Sequence, residues 1–213
     1  MQPVSLRRRA WIKCYSFSLS YAENLSPYFA EFLGTLMIGV SYGYNEKNMT
    51  SDVWQPLSVG FSVTAATYAV AVVSGAHLNP AVSLALLLLR KEKCLKCVLY
   101  IVTQVIACLL VGVLFFDVFS GKVDIGPRGT YTWRSVALCE TFFSGVYMFV
   151  YLNCVASRRN IGYYSLSTDR NQFFGLAIGF SWTSAIAACI KVSGAVLHMG
   201  LALALAIMTL NVS

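Results

Sequence analysis

Two short polar segments carry the residues best suited to bind or pass a small molecule. The first reads Ser74-Gly75-Ala76-His77-Leu78-Asn79-Pro80-Ala81-Val82-Ser83 and lies between apolar runs at Pro56–Val73 and Ala81–Leu89. A polar break at membrane depth is tolerated only where it is buried in protein or lines a cavity. Asn79 is a favourable helix N-cap, and Pro80 suits the first helical position because its missing N–H is not needed there. The segment predicts a short helix that enters the membrane with its positive N-terminal end towards the centre.

The second segment is a weaker copy of the first. Ser193-Gly194-Ala195-Val196-Leu197-His198-Met199-Gly200 also leads into an apolar run, Met199–Leu210. Glu31 and Glu140 are the two acidic residues well inside apolar runs, where a carboxylate is costly and faces a partner or a cavity. An odd number of spans in each half inverts the second half relative to the first. Inverted repeats with interrupted helices indicate a binding or permeation site at the midplane.

The elements that must position these segments are membrane-spanning helices. The chain is 57% hydrophobic and 12% charged, with a mean hydropathy of +0.65, whereas a soluble domain is about 25% charged. A hydrocarbon core of roughly 30 Å needs about 20 apolar residues. Five runs are long enough and two, Ala81–Leu89 and Met199–Leu210, are not. We therefore expect an all-α membrane protein with two re-entrant half-helices and five transmembrane helices: Pro27–Tyr44, Pro56–Val73, Cys97–Phe119, Ser135–Ala156 and Phe173–Ile190.

The net charge of +7 is distributed as a topology signal. Eleven of the sixteen Lys and Arg fall in three clusters, at residues 7–13, 90–96 and 158–170, on one predicted side of the membrane. The positive-inside rule places the N-terminus on that cytoplasmic or matrix-equivalent side. No basic patch with interleaved aromatic residues forms a nucleic-acid-binding module, so we expect no nucleic-acid partner.

Other chemistries find little support in the chain. The seven Cys residues are odd in number and scattered, which is not typical of a disulfide framework, and Cys94-Leu95-Lys96-Cys97 is an isolated pair. No nucleophile–base set, glycine-rich phosphate loop or metal-ligand spacing occurs. We predict that the protein is not an enzyme and has no cofactor and no metal, and that His77 and His198 pack or line the two loops.

The motifs resemble those of the aquaporin, or major intrinsic protein, family, between residue 30 and about residue 205. The resemblance rests on Ala30-Glu31-Phe32-Leu33-Gly34-Thr35, Ser74–Ser83, Gln104, Glu140-Thr141 and Ser193-Gly194-Ala195. It implies two half-helices that meet at the midplane, where Asn79 donates a hydrogen bond to water or a polyol. It also implies that Glu31 and Glu140 brace the loops, and that the protein forms homotetramers with one pore per subunit.

The second half departs from the family pattern. It has His198-Met199-Gly200-Leu201 where the family has Asn-Pro-Ala-Arg, so the residues expected at the half-helix starts are Asn79, Pro80, Ala81, His198, Met199 and Gly200. The resemblance places the selectivity filter at Val59, Ile186 and Leu201, with the backbone of Ala195. Such a ring has no side-chain donor and no positive charge. An aliphatic ring costs a passing solute about 1–3 kcal/mol for each hydrogen bond it loses.

We expect one membrane domain over residues 1–213, with a basic arm (1–26), a first repeat (27–119) and a truncated second repeat (135–213). The family's sixth span is not expected, so a neighbouring membrane subunit would cover its place unless this is a shortened form of a longer chain. Two functions stay open: a divergent channel for water or small neutral solutes, and a non-conducting structural subunit of a larger membrane complex. A transporter of a gas or a metalloid is a third possibility.

Overall fold

The computed structural model describes residues 6–47, 52–118, 125–156 and 172–210, and these residues are helical with no strand among them. This agrees with the predicted all-α class. The helices run in the order α1 (Leu6–Lys47), α2 (Trp54–Ser74), α3 (Pro80–Leu88), α4 (Cys94–Val118), α5 (Trp133–Tyr151), a π-helical turn (Leu152–Ala156), α6 (Phe174–Ser193) and α7 (Met199–Leu210).

Four segments are long and apolar enough to cross a membrane, namely Trp54–Ser74, Cys94–Phe115, Trp133–Val155 and Phe174–Ser193. They overlap four of the five predicted spans. The remaining predicted span, Pro27–Tyr44, lies inside α1, which continues back to Leu6. Pro27 is therefore internal to a helix that we had expected to begin there. Apolar helices tolerate an internal proline when neighbouring groups satisfy the freed backbone carbonyl.

The internal repeat is visible in the backbone of the two loops that precede the short helices. Gly75 and Gly194 each end a long helix in the left-handed conformation, with φ of 94° and 83°. Ala76 and Ala195 follow with φ of 52° and 54°, and Leu78 and Leu197 share a φ of 51°. Non-glycine residues adopt positive φ uncommonly. Two loops with the same uncommon sequence of conformations have the same fold.

The packing of the long helices brings these loops together. α1 packs on α2 and α4, α2 packs on α6, and α5 packs on α6. α2 and α6 are in close contact at two points, where Gly60 faces Thr183 and Gly179 faces Thr64. A β-carbon at either glycine would overlap the facing threonine, so the close contact depends on glycine at both positions. The short helices α3 and α7 both pack against α4 and also contact each other.

A disulfide between Cys139 and Cys189 joins α5 to α6. The scattered cysteines had indicated no disulfide, and for this pair that interpretation was wrong. The two residues are 50 positions apart, and only the packing of α5 against α6 brings their α-carbons to 6.2 Å.

Candidate solute-binding site at two facing loops

Glu31 holds the first loop, residues 75–79, from the middle of α1. One carboxylate oxygen accepts hydrogen bonds from the Ser74 hydroxyl (2.6 Å) and the His77 N–H (2.9 Å). The other oxygen accepts from the Leu78 N–H (2.7 Å) and from the side-chain amide of Gln104 on α4 (2.8 Å). The residue is fully buried. Four donors offset the cost of removing its carboxylate from water.

Glu140 holds the second loop, residues 194–198, in the same way. Its carboxylate accepts from the Ser193 hydroxyl (2.5 Å), the Val196 N–H (3.1 Å) and the Leu197 N–H (2.9 Å). These three donors correspond in the repeat to the first three donors of Glu31. Among the described residues, no side-chain amide takes the place that Gln104 has in the first half.

Asn79 begins α3 and also reaches the other loop. Its side-chain oxygen accepts from the Ala81 N–H (3.0 Å), so the residue is the N-cap of α3. Its side-chain nitrogen donates to the carbonyl of Leu197 (3.1 Å). One side chain therefore caps its own helix and ties the first loop to the second.

His198 makes the reciprocal pair of bonds. Its Nδ1 accepts from the Leu201 N–H (3.1 Å), and its Nε2 donates to the carbonyl of Leu78 (2.7 Å). A backbone N–H can only donate and a carbonyl can only accept, so these two bonds fix the neutral tautomer with its proton on Nε2. We had expected His198 to pack or line its loop; in the structure its ring both donates and accepts a hydrogen bond within the protein.

The remaining residues expected at the helix starts lie at the same junction. Pro80 is buried and Ala81 is partly buried at the start of α3. Gly200 is buried in the first turn of α7, where a β-carbon would lie 3.4 Å from the Pro80 ring. Met199 differs from them because 56% of its surface is exposed.

The four positions expected to form a filter are all inaccessible. Val59 on α2, Ile186 on α6 and Ala195 in the second loop are 0% exposed, and Leu201 on α7 is 1% exposed. They belong to one buried apolar cluster. None offers a side-chain hydrogen-bond donor, so a polar group of a solute at these side chains would lose hydrogen bonds.

Sequence reasoning missed a polar cluster that joins the end of α1 to the end of α6. Arg128 forms an ion pair with Glu46 and donates to the carbonyl of Ile190 (2.9 Å), and Gln55 donates to the second Glu46 oxygen (2.7 Å). Beside it, the hydroxyl of Tyr42 donates to the carbonyl of Gly194 (2.9 Å). In the sequence, Arg128 is one of the five Lys and Arg residues outside the three basic clusters. No local motif marks it.

Two tyrosines also support the first loop. Tyr100 donates to the Ser74 carbonyl (2.9 Å), and Tyr151 donates to the Gly75 carbonyl (2.8 Å). Both side chains are fully buried. No local sequence pattern marks either tyrosine for this role.

An apolar groove of about 820 Å³ runs between α5 and α7. Its lining includes Ile125, Trp133, Glu140, Ser144, His198 and Ala202. No group of three or more His, Cys, Asp or Glu residues suited to a metal ion occurs in the described part of the chain.

Comparison with known proteins places this geometry in a family. The family model described as "Major intrinsic protein" matches residues 18–213. Aquaporin-1 of Mus musculus is 35% identical over 106 residues, which cover 45% of this chain and 39% of that protein. A probable NIP-type aquaporin of Nicotiana alata is 28% identical over 181 residues, covering 82% and 61%, and nodulin-26 of Glycine max is 31% identical over 166 residues, covering 74% and 55%. The matched segments therefore span 39% to 61% of the length of these relatives.

The fold is also similar to that of a solved structure. The X-ray structure of the aquaglyceroporin from Plasmodium falciparum superposes on this chain with a TM-score of 0.70. The superposition covers 88% of this chain and 82% of that one. The sequence identity is 19%, so this similarity establishes the shared fold and nothing about the solute.

Proposed function

The chain belongs to the major intrinsic protein family, and from that membership we propose that it forms a membrane channel for water or small neutral solutes. The observation that carries the proposal is the Asn79 amide at the junction of the two loops. Its nitrogen has two hydrogens, and the bond to Leu197 uses one of them. The second is the group with which the channel holds a passing solute.

The short helices supply the electrostatic part of the site. α3 and α7 both direct their N-terminal ends at the junction, since they begin at Pro80 and Met199 directly after Asn79 and His198. A helix N-terminus carries a partial positive charge. Two such ends at one place disfavour a cation and favour a solute that presents an oxygen. For this reason we propose neutral solutes, and we propose no enzymatic activity.

The proposal includes the orientation and the partners of the protein. The basic clusters at residues 7–13, 90–96 and 158–170 support an N-terminus on the cytoplasmic or matrix-equivalent side. In the membrane the protein forms a homotetramer with one path in each subunit, or associates with neighbouring membrane subunits. An apolar helix is the occupant that suits the groove between α5 and α7, because the groove is lined mainly by apolar side chains.

A second function, that of a non-conducting structural subunit, has one observation in its favour. The side chains of Val59, Ile186 and Leu201 are at most 1% exposed. A constriction lined by aliphatic side chains can lose its water and close. A protein with a permanently closed path would still keep the braced loops and the membrane fold.

Osmotic swelling of proteoliposomes tests the channel. We expect wild-type vesicles to swell faster than empty ones, and Asn79→Ser to slow them because serine keeps an N-cap oxygen but lacks the amide donors. Asn153→Ser, at an exposed position in the π-helical turn after α5, is the matched control and should behave as wild type. Swelling no faster than empty vesicles, by a protein shown to be folded, would reject the channel. Comigration with foreign membrane proteins in mild detergent would then support the structural subunit.

A further inference from the structure

His198 has no hydrogen-bonding capacity left for a solute. A neutral imidazole has one N–H and one acceptor nitrogen. The N–H is used by the Leu78 carbonyl at 2.7 Å, and the acceptor nitrogen by the Leu201 N–H at 3.1 Å. The residue is 3% exposed, and the Cys108 sulfur lies 3.9 Å from its Nδ1.

His198 differs from Asn79 because its side chain has no second N–H group. Both side chains cap a short helix, and both donate to the carbonyl of the leucine that precedes the other cap, Leu197 or Leu78. The asparagine amide still has a second N–H after these bonds, and the histidine ring does not. Two structurally equivalent positions thus offer different numbers of N–H donors to the space between them.

We propose that His198 is a specificity-determining residue, which locks the two loops together and, among the described residues, leaves Asn79 as the single side-chain donor at their junction. This inference rests on the proposed channel function. It names the solute class as small neutral molecules with one hydrogen-bond-accepting edge and one apolar flank.

The solute class follows from counting hydrogen bonds. At the junction a solute oxygen receives one side-chain hydrogen bond, from Asn79. The predicted filter beyond it is aliphatic, with Val59, Ile186 and Leu201. Water and urea must leave polar hydrogens unpaired beside such groups, whereas the methyl group of acetamide loses nothing there. Acetamide and urea have similar size, so they isolate this effect.

The ring state of His198 is tested by nitrogen-15 NMR of the reconstituted full chain. The chain has two histidines, so spectra of wild type and His198→Asn assign the signals without further variants. We expect His198 to have a protonated Nε2 and a bare Nδ1. A proton on Nδ1, or a ring with both nitrogens protonated, would overturn the lock.

Permeability ratios in proteoliposomes test specificity. In His198→Asn the new amide can cap α7, bond to Leu78 and still offer one N–H, as Asn79 does. We expect ethylene glycol permeability to rise roughly tenfold relative to acetamide, a typical effect of one net hydrogen bond, because the added N–H pairs with a second solute oxygen and acetamide has only one. Leu203→Asn is the matched control, because it adds the same amide at an exposed position of α7 away from the junction, and its ratios should stay those of wild type.

The outcomes separate this inference from the channel proposal. If wild type conducts and His198→Asn leaves the ratios unchanged, the specificity role is wrong and the channel stands. If wild type passes nothing but His198→Asn passes water, the native channel is rejected and the role of His198 in withholding a donor is supported. If neither passes any solute, the channel and the specificity role both fail, and the NMR result alone decides whether His198 locks the loops.

Discussion

The side-chain amide of Gln104 donates a hydrogen bond to the carboxylate of Glu31 at 2.8 Å, and both side chains are fully buried. This bond connects α4 to α1, and the same amide also lies 3.3 Å from the hydroxyl of Ser83 on α3. Three helices are thereby fixed around the carboxylate that holds the first loop. The Asn79 amide owes its position to this arrangement, since residue 79 directly follows two N–H groups that Glu31 binds.

Replacing Glu31 with glutamine should destabilise the fold more than it changes solute choice. The glutamine NH2 would have to replace one carboxylate oxygen opposite N–H donors of the loop, and each buried donor left without an acceptor costs about 1–3 kcal/mol. Thermal unfolding in detergent, followed by size-exclusion chromatography, should show a clear drop in Tm. Glu92→Gln is the control, because its ion pair with Lys96 is partly exposed and should contribute at most about 1 kcal/mol. An unchanged Tm with altered solute choice would contradict the bracing role.

Replacing Leu201 with arginine should narrow the predicted filter and reduce the passage of larger solutes such as glycerol relative to water. Leu201 is buried in the first turn of α7, within the same apolar cluster as Val59 and Ile186. Proteoliposome permeability to a size series measures the effect. Leu201→Met keeps the apolar character and a similar volume, and should leave the series unchanged. If arginine changes passage of no solute, residue 201 does not line the path.

Replacing Arg128 with glutamine should loosen the second loop. Its guanidinium pairs with Glu46, and its backbone N–H donates to the Val192 carbonyl at 3.1 Å, next to the loop. The lost charged contacts should cost about 1–3 kcal/mol. Hydrogen–deuterium exchange of the amides at residues 192–197 should accelerate. Arg134→Gln, which removes the same charge from an exposed position at the start of α5, should not accelerate it. Equal exchange in both variants would show that the ion pair does not hold this loop.

Removing the disulfide with Cys139→Ser and Cys189→Ser should lower stability while the helices remain. The link closes 50 residues of chain, and disulfides of this kind contribute about 2–4 kcal/mol. The Tm of wild type should fall on reduction to that of the double variant, whose own Tm should not respond to reductant. Cys154→Ser, which leaves both cysteines of the link in place, should retain the wild-type response. Peptide mapping that finds Cys139 and Cys189 as separate thiols would refute the link.

The sequence alone determined the features that arise from nearby residues. Apolar runs of about 20 residues specify spanning helices because the thickness of the bilayer sets their length. The Asn79-Pro80 pair specified where α3 begins, since capping and the fixed φ of proline act within one turn. Repetition of the Ser-Gly-Ala pattern at Ser74 and Ser193 indicated two equivalent loops, and their backbone angles agree closely. At Pro27 the local pattern was misleading. We had expected a helix to begin at this proline, but α1 continues back to Leu6 and contains Pro27 in its interior.

Only the tertiary structure decided which distant groups meet. His198 could have faced the path or the protein, and its contact with Leu78, 120 residues earlier, settled its tautomer and its bonds. Arg128 with Glu46 and Cys139 with Cys189 are likewise pairs that no local pattern specifies. Hydrogen bonds, ion pairs and disulfides depend on ångström-scale distances and directions. Those distances are set by how whole helices pack, and helix packing depends on all of their contacting side chains at once.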